Sequence, residues 1–312
     1  MSTFNLISIK YGADGVFDPW IEDGRAEAWF TNMAGSDYYS WLSEYNSGKP
    51  VIGSYGGQFT ISADTSQPAT ITQDQILSVL RSAIDVNIVP APDNTTQYIL
   101  HFPKGIAVND GPDMVSCTIS VTDSDAFCGY HSNFDYNGVL AKFSIIPYSS
   151  DCPSKSCGST FEDYGSTISH EIAETITDPL ATSWFDDCNE EIGDICENEN
   201  NVYAKGSDGK DYPVQLLWSN SRKECYGGQS SSDLINVPTG MPTAKPQAGL
   251  GGATTEMPSM GPSKQAVAAP TGMPTAKPQA GLGTIEMKKR HIESFDGSKR
   301  DLKKRSNLRS KL

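Results

Sequence analysis

Apolar positions alternate along residues 4–11, where Phe4, Leu6, Ile7, Ile9 and Tyr11 run up to Gly12, and this pattern predicts a first strand. Between 18 and 45 the spacing becomes nearly helical: Trp20, Trp29, Phe30, Tyr38, Tyr39, Trp41, Leu42 and Tyr45 recur on it. Two helices broken at Met33-Ala34-Gly35-Ser36 are expected there, with the aromatic stripe in the core and not at a ligand site. Residues 49–63 return to strand character. Thr72-Gln73-Asp74-Gln75 then reads as a capping box ahead of Ile76, Leu77, Leu80, Ala83 and Ile84, which is an amphipathic helix. Further strands are expected at Gln97–Phe102, near Leu140–Pro147 and at Val214–Asn220, with His101 packed inside the first of these. Helices interleaved with strands imply an α/β fold of mixed α+β character: one domain, with a central mixed sheet flanked by helices.

One stretch carries chemistry as well as pattern. Over 162–178 the chain predicts a helix in which Ile168, Ile172 and Ile176 form an apolar ridge four residues apart. His170, Glu174 and Asp178 share a different side, with Glu171 beside them, and Pro179 ends the helix because it has no N–H to donate. A histidine and a carboxylate at i and i+4 can share one metal ion, while the neighbouring Glu171 can take a proton from bound water. That is the logic of the zinc-peptidase helix His-Glu-x-x-His, here with Glu174 in place of the second histidine. The plain alternative is a solvated acidic helix face.

Composition narrows the setting. No run of 18 apolar residues occurs, so no membrane span is expected, and the uncharged start Met1-Ser2-Thr3-Phe4 reads as a strand and not as a signal peptide. Residues 1–231 hold 11 Lys and Arg against 32 Asp and Glu, a balance of −21 that argues against nucleic acid as a partner of the folded part. Residues 1–228 read as the folded domain and 229–284 as a Pro/Gly-rich disordered linker. The linker carries one 14-residue segment twice, at 238–251 and 270–283, and 285–312 form a basic tail. Seven cysteines lie between Cys117 and Cys225. Cys152 with Cys157, and Cys188 with Cys196, look like short disulfide loops, which would mean an oxidising compartment and one cysteine left over.

Several motifs in one order carry a resemblance. They are Cys128-Gly129-Tyr130-His131, Cys152-Pro153 followed by Cys157, the His170–Pro179 stretch, Trp184, Glu191-x-x-Asp194-x-Cys196, and Gln215 with Trp218-Ser219-Asn220. Together they resemble the exordium, or phosphate-induced, protein family over roughly residues 4–226. The resemblance implies a secreted, disulfide-containing protein associated with the cell wall. It brings no settled chemistry. Members often have a cysteine a few residues before the Cys-Gly-aromatic-His element, a place that only Cys117 could fill here.

A catalytic zinc needs three protein ligands, an open position and a base. His170 and Glu174 supply two ligands and Glu171 the base. For the third, Asp194 ranks first. His131, expected in a glycine-containing turn, ranks second, and Asp178 third, because it lies about 12 Å along the helix from His170. Two anionic ligands would make the site nearly neutral and its water less acidic, and calcium competes with zinc because carboxylates outnumber nitrogens. Two functions follow: a zinc-dependent hydrolase acting on peptides, or a non-enzymatic, secreted signalling or wall-associated protein in which the ion is structural.

Overall fold

The computed structural model describes residues 1–63, 69–111, 114–116, 126–150, 157–197, 199 and 201–228. Its elements begin with β1 (Thr3–Tyr11), α1 (Pro19–Glu22), α2 (Arg25–Met33), α3 (Asp37–Ser40) and a 3-10 turn at Trp41–Asn46. There follow β2 (Ile52–Ile61), β3 (Ala69–Thr72), α4 (Gln73–Asp85), β4 (Thr96–His101), β5 (Ile106–Gly111) and β6 (Met114–Val115). After β7 (Tyr130–Tyr136) and β8 (Val139–Ile146) comes the long helix α5 (Phe161–Thr177). A 3-10 turn at Asp194–Cys196 and four short strands close the chain: β9 (Val202–Lys205), β10 (Asp211–Val214), β11 (Leu217–Ser219) and β12 (Glu224–Tyr226).

The main sheet has the order β2-β1-β4-β8-β7, parallel throughout except for β7, which runs antiparallel to β8 at the edge. The alternation along β1 explains its central place. Phe4 and Leu6 enter a core with α2, α3 and α5, while Ile7, Ile9 and Tyr11 face a second core with α4. A strand covered on both sides has no polar face, and β4 is accordingly buried along its whole length. The α4 capping box is present as read, with Thr72 and Gln75 exchanging bonds. His101 is a packed residue, set between Ser8 and the Tyr164 hydroxyl. Among the described residues no helix is long and apolar enough to cross a membrane.

Three expectations are corrected. The aromatic stretch is core, but it forms three short α-helices and a 3-10 turn and not two helices, because Gly24, at φ 83°, breaks the chain between α1 and α2. The strand expected at Val214–Asn220 is split into β10 and β11, because the Gln215 N–H donates to Ser169 Oγ (2.9 Å) and not to a neighbouring strand. His131 is not in a turn. It is the second residue of β7, opposite Ser144 of β8.

The cysteine loops are corrected as well. Cys157 bonds to Cys128 and Cys196 bonds to Cys225, while Cys188 is free and exposed. Short sequence separation suggests the wrong partners; each true bridge spans 29 residues. Cys117 and Cys152 lie outside the described residues, as do the linker at 229–284, its repeats and the basic tail. Two disulfides are consistent with an oxidising compartment. Replacing Cys196 and Cys225 together by Ala should lower the melting temperature by about 7–14 °C. A loop of this length is worth about 3–4 kcal/mol in the chain-entropy account, at about 2–4 °C per kcal/mol. Calorimetry showing no shift would contradict that weight.

Candidate metal centre

Helix α5 carries its own start and stop. Thr160 and Asp163 form a capping box at the N-terminus, and Asp178 followed by Pro179 closes the other end. Ile168, Ile172 and Ile176 enter the core beside Phe30, Tyr39 and Trp184, as their spacing indicates. Gly165 lets β10 cross the helix, since a Cβ there would lie 2.4 Å from the Pro213 carbonyl oxygen. With one face committed to the core, the helix turns His170, Glu171 and Glu174 toward β7 and the 191–194 segment. These side chains are not solvated: the three residues are 2%, 2% and 3% exposed.

The site converges from four segments. His170 Nε2 lies 3.0 Å from Glu174 Oε2 and 3.6 Å from Asp194 Oδ1. His131 comes from the edge strand, its Nδ1 3.4 Å from Glu171 Oε2 and 3.5 Å from Glu174 Oε2. Its Nε2 faces Glu191 Oε1 at 3.7 Å. Glu174 Oε1 accepts from the backbone N–H groups of Gly193 (3.1 Å) and Asp194 (3.3 Å), which holds the acidic segment against the helix. Asp194 Oδ2 in turn accepts from the Glu191 N–H at 3.2 Å. Asp178 joins neither histidine; its Oδ1 accepts from the N–H groups of Thr182 (2.7 Å) and Ser183 (2.9 Å) and shapes the turn after the helix.

Among the described residues, two sets of three place one ligand atom each within 4.8 Å of one another: His170, Glu174 and Asp194, and His131, Glu171 and Glu174. These buried His and Glu groups could hold a metal ion. The donor set, imidazole nitrogens with carboxylate oxygens, fits one; beside it Glu191 Oε1 is buried without a hydrogen bond, its His131 Nε2 neighbour standing at 3.7 Å. A buried carboxylate oxygen left so costs at least about 1–3 kcal/mol, which favours the protonated form of Glu191. Without a cation the cluster draws in protons. Burial alone would lower the His131 imidazole, but Glu191, Glu171 and Glu174 together raise it to about 10. His170 is likewise lifted well above its ordinary range by Glu174, Glu171 and Asp194 against the effect of burial. Burial raises Glu174, and it raises Glu191 strongly, with Glu174 adding to the latter. A cation would displace such protons.

Two contributors had no role in the sequence reading. Gln215 donates through Nε2 to the Gly193 carbonyl (2.7 Å), which turns its Oε1 toward His170 Nδ1 at 3.2 Å. An Nδ1–H donated there leaves the His170 Nε2 lone pair free for a ligand bond. The only sequence signal for Gln215 was its place among the ordered motifs. Gly193 has φ −80°, open to any residue, so its requirement is space: a Cβ would lie 2.5 Å from His170 Nδ1 and 2.7 Å from Cγ. Gly193→Ala should therefore push the ring off Gln215 and weaken metal binding about 10–100-fold. Unchanged affinity by equilibrium dialysis would show that the ring has room to move.

Fold and site together define an α/β protein with a buried histidine–carboxylate cluster suited to a metal ion. Compared with known families, curated proteins and solved structures, the chain matches none of them significantly.

Proposed function

We propose that the chain is a zinc-dependent hydrolase of the exordium-like type, acting on peptides outside the cell. The observation that carries this is the division of labour along α5. His170 and Glu174 meet Asp194 as a ligand set, while Glu171, one residue from His170, stands outside that set. Zinc in such a set supplies a Lewis acid and an acidified water. Glu171, outside that set, would serve as the general base, holding a proton and returning it to a leaving amine. His131 steadies Glu171 Oε2 from one side, and Glu191 steadies His131 from the other. With two anionic ligands a zinc centre would be close to neutral, so slow or highly selective hydrolysis is expected. The two disulfides among the described residues support a secreted setting.

Burial favours a second reading. Asp194, with 11% of its side chain exposed, is more open than the 2% of His170, so access from outside is narrow. In that reading the ion, zinc or calcium, only holds the 191–196 segment to α5, and the protein is a non-enzymatic signalling or cell-wall component. Metal analysis of the purified chain decides between them. One zinc per chain, lost in His170→Ala, together with peptide hydrolysis abolished by chelator, supports the hydrolase. Bound calcium, or zinc without hydrolysis, supports the structural ion, and no bound metal overturns both.

A further inference from the structure

The two ligand sets share Glu174, and neither contains both histidines. Ligands of one zinc sit about 2.0–2.2 Å from it, so any two are at most about 4.4 Å apart. Each set lies within 4.8 Å and can close on an ion by small side-chain shifts, but the two imidazoles are not gathered round one point. Each ring is nevertheless furnished as a ligand. His170 Nδ1 faces Gln215 Oε1 at 3.2 Å, and His131 Nε2 faces Glu191 Oε1 at 3.7 Å. Metal-bound histidines direct their far nitrogen at such oxygens. Charge points the same way. Glu171, Glu174 and Glu191 are buried and Asp194 is nearly so; ionised, they carry four negative charges, of which one divalent cation offsets two, leaving the remainder to a second cation or to protons.

We propose that the chain holds a second, weaker divalent cation at His131, Glu171 and Glu174, beside the first and sharing Glu174 with it, with Glu191 orienting His131. The proposal rests on the reading of His170, Glu174 and Asp194 as the first position. It is weaker because Glu174 Oε1 is already engaged by two backbone N–H groups, so both positions draw on Oε2. The consequence is regulatory. With one cation bound, Glu171 is free to act as a base; with two, its carboxylate is a ligand, and excess of the activating metal silences the site.

The test is a zinc chloride titration of the chelator-stripped full chain, with bound metal counted by equilibrium dialysis. Two equivalents are expected, the second at least about tenfold weaker, and His131→Asn should keep the first and lose the second. Glu191→Gln preserves side-chain shape and serves as an independent variant. It should weaken the second equivalent about 10–100-fold and leave the first unchanged. A single equivalent in the native chain overturns the second position while leaving the first standing. Two equivalents that survive both substitutions place the extra metal elsewhere and also overturn it. No bound zinc at all removes the first position, and with it the proposed function.

Discussion

Glu171→Gln is expected to retain the first ion and the fold while hydrolysis falls by at least about 100-fold, within the usual range for removing a general base. The geometry is the reason. Glu171 Oε2 faces His131 at 3.4 Å and is not in the set formed by His170, Glu174 and Asp194. The amide keeps the size of the carboxylate but has no lone pair of comparable basicity. The comparison is made at one equivalent of zinc, by metal analysis, melting temperature and peptide turnover on the same preparation. Loss of that equivalent would make Glu171 a ligand of the first ion; full turnover would remove it from the chemistry.

Glu174→Ala is expected to abolish tight metal binding and to lower the melting temperature by about 4–24 °C. Two effects combine. The shared ligand of both sets is lost, so the stabilisation that metal adds to the native state disappears. The Gly193 and Asp194 N–H groups also lose their acceptor, at about 1–3 kcal/mol each when buried, with about 2–4 °C per kcal/mol in a domain of this size. Scanning calorimetry with and without chelator separates the parts. The native chain should lose stability on chelation and the variant should not. A native chain indifferent to chelator would show that no ion is coupled to folding.

The correct and incorrect expectations divide by range of interaction. The Thr72 capping box, the two-faced strand β1 and the end of α5 before Pro179 are local events, set within a turn or an alternation, and the structure keeps them. Aromatic spacing at 18–45 placed those residues in the core but not their helix ends, since Gly24 acts through a backbone angle that periodicity does not register. The cysteine pairs failed because nearness along the chain was taken for nearness in space. Cys128 meets Cys157 only once β7 is laid beside β8 and α5 has followed.

The sequence by itself determined the helix that bears His170, Glu171 and Glu174, since their relative placement follows from 1.5 Å and 100° per residue. Helix rise alone also separates Asp178 from His170 by about 12 Å, and in the structure Asp178 Oδ1 accepts from Thr182 and Ser183 instead. Tertiary structure alone decided the rest. The edge position of β7 aims His131 at Glu171 and Glu174, in a set separate from that of His170 and Asp194. The break between β10 and β11 brings Gln215 to His170, and Gly193 gives that ring its space. Those contacts span 40 to 45 residues for His131 with Glu171 and His170 with Gln215. At such separations side-chain direction depends on how sheet, helix and hairpins pack together, which no local spacing encodes.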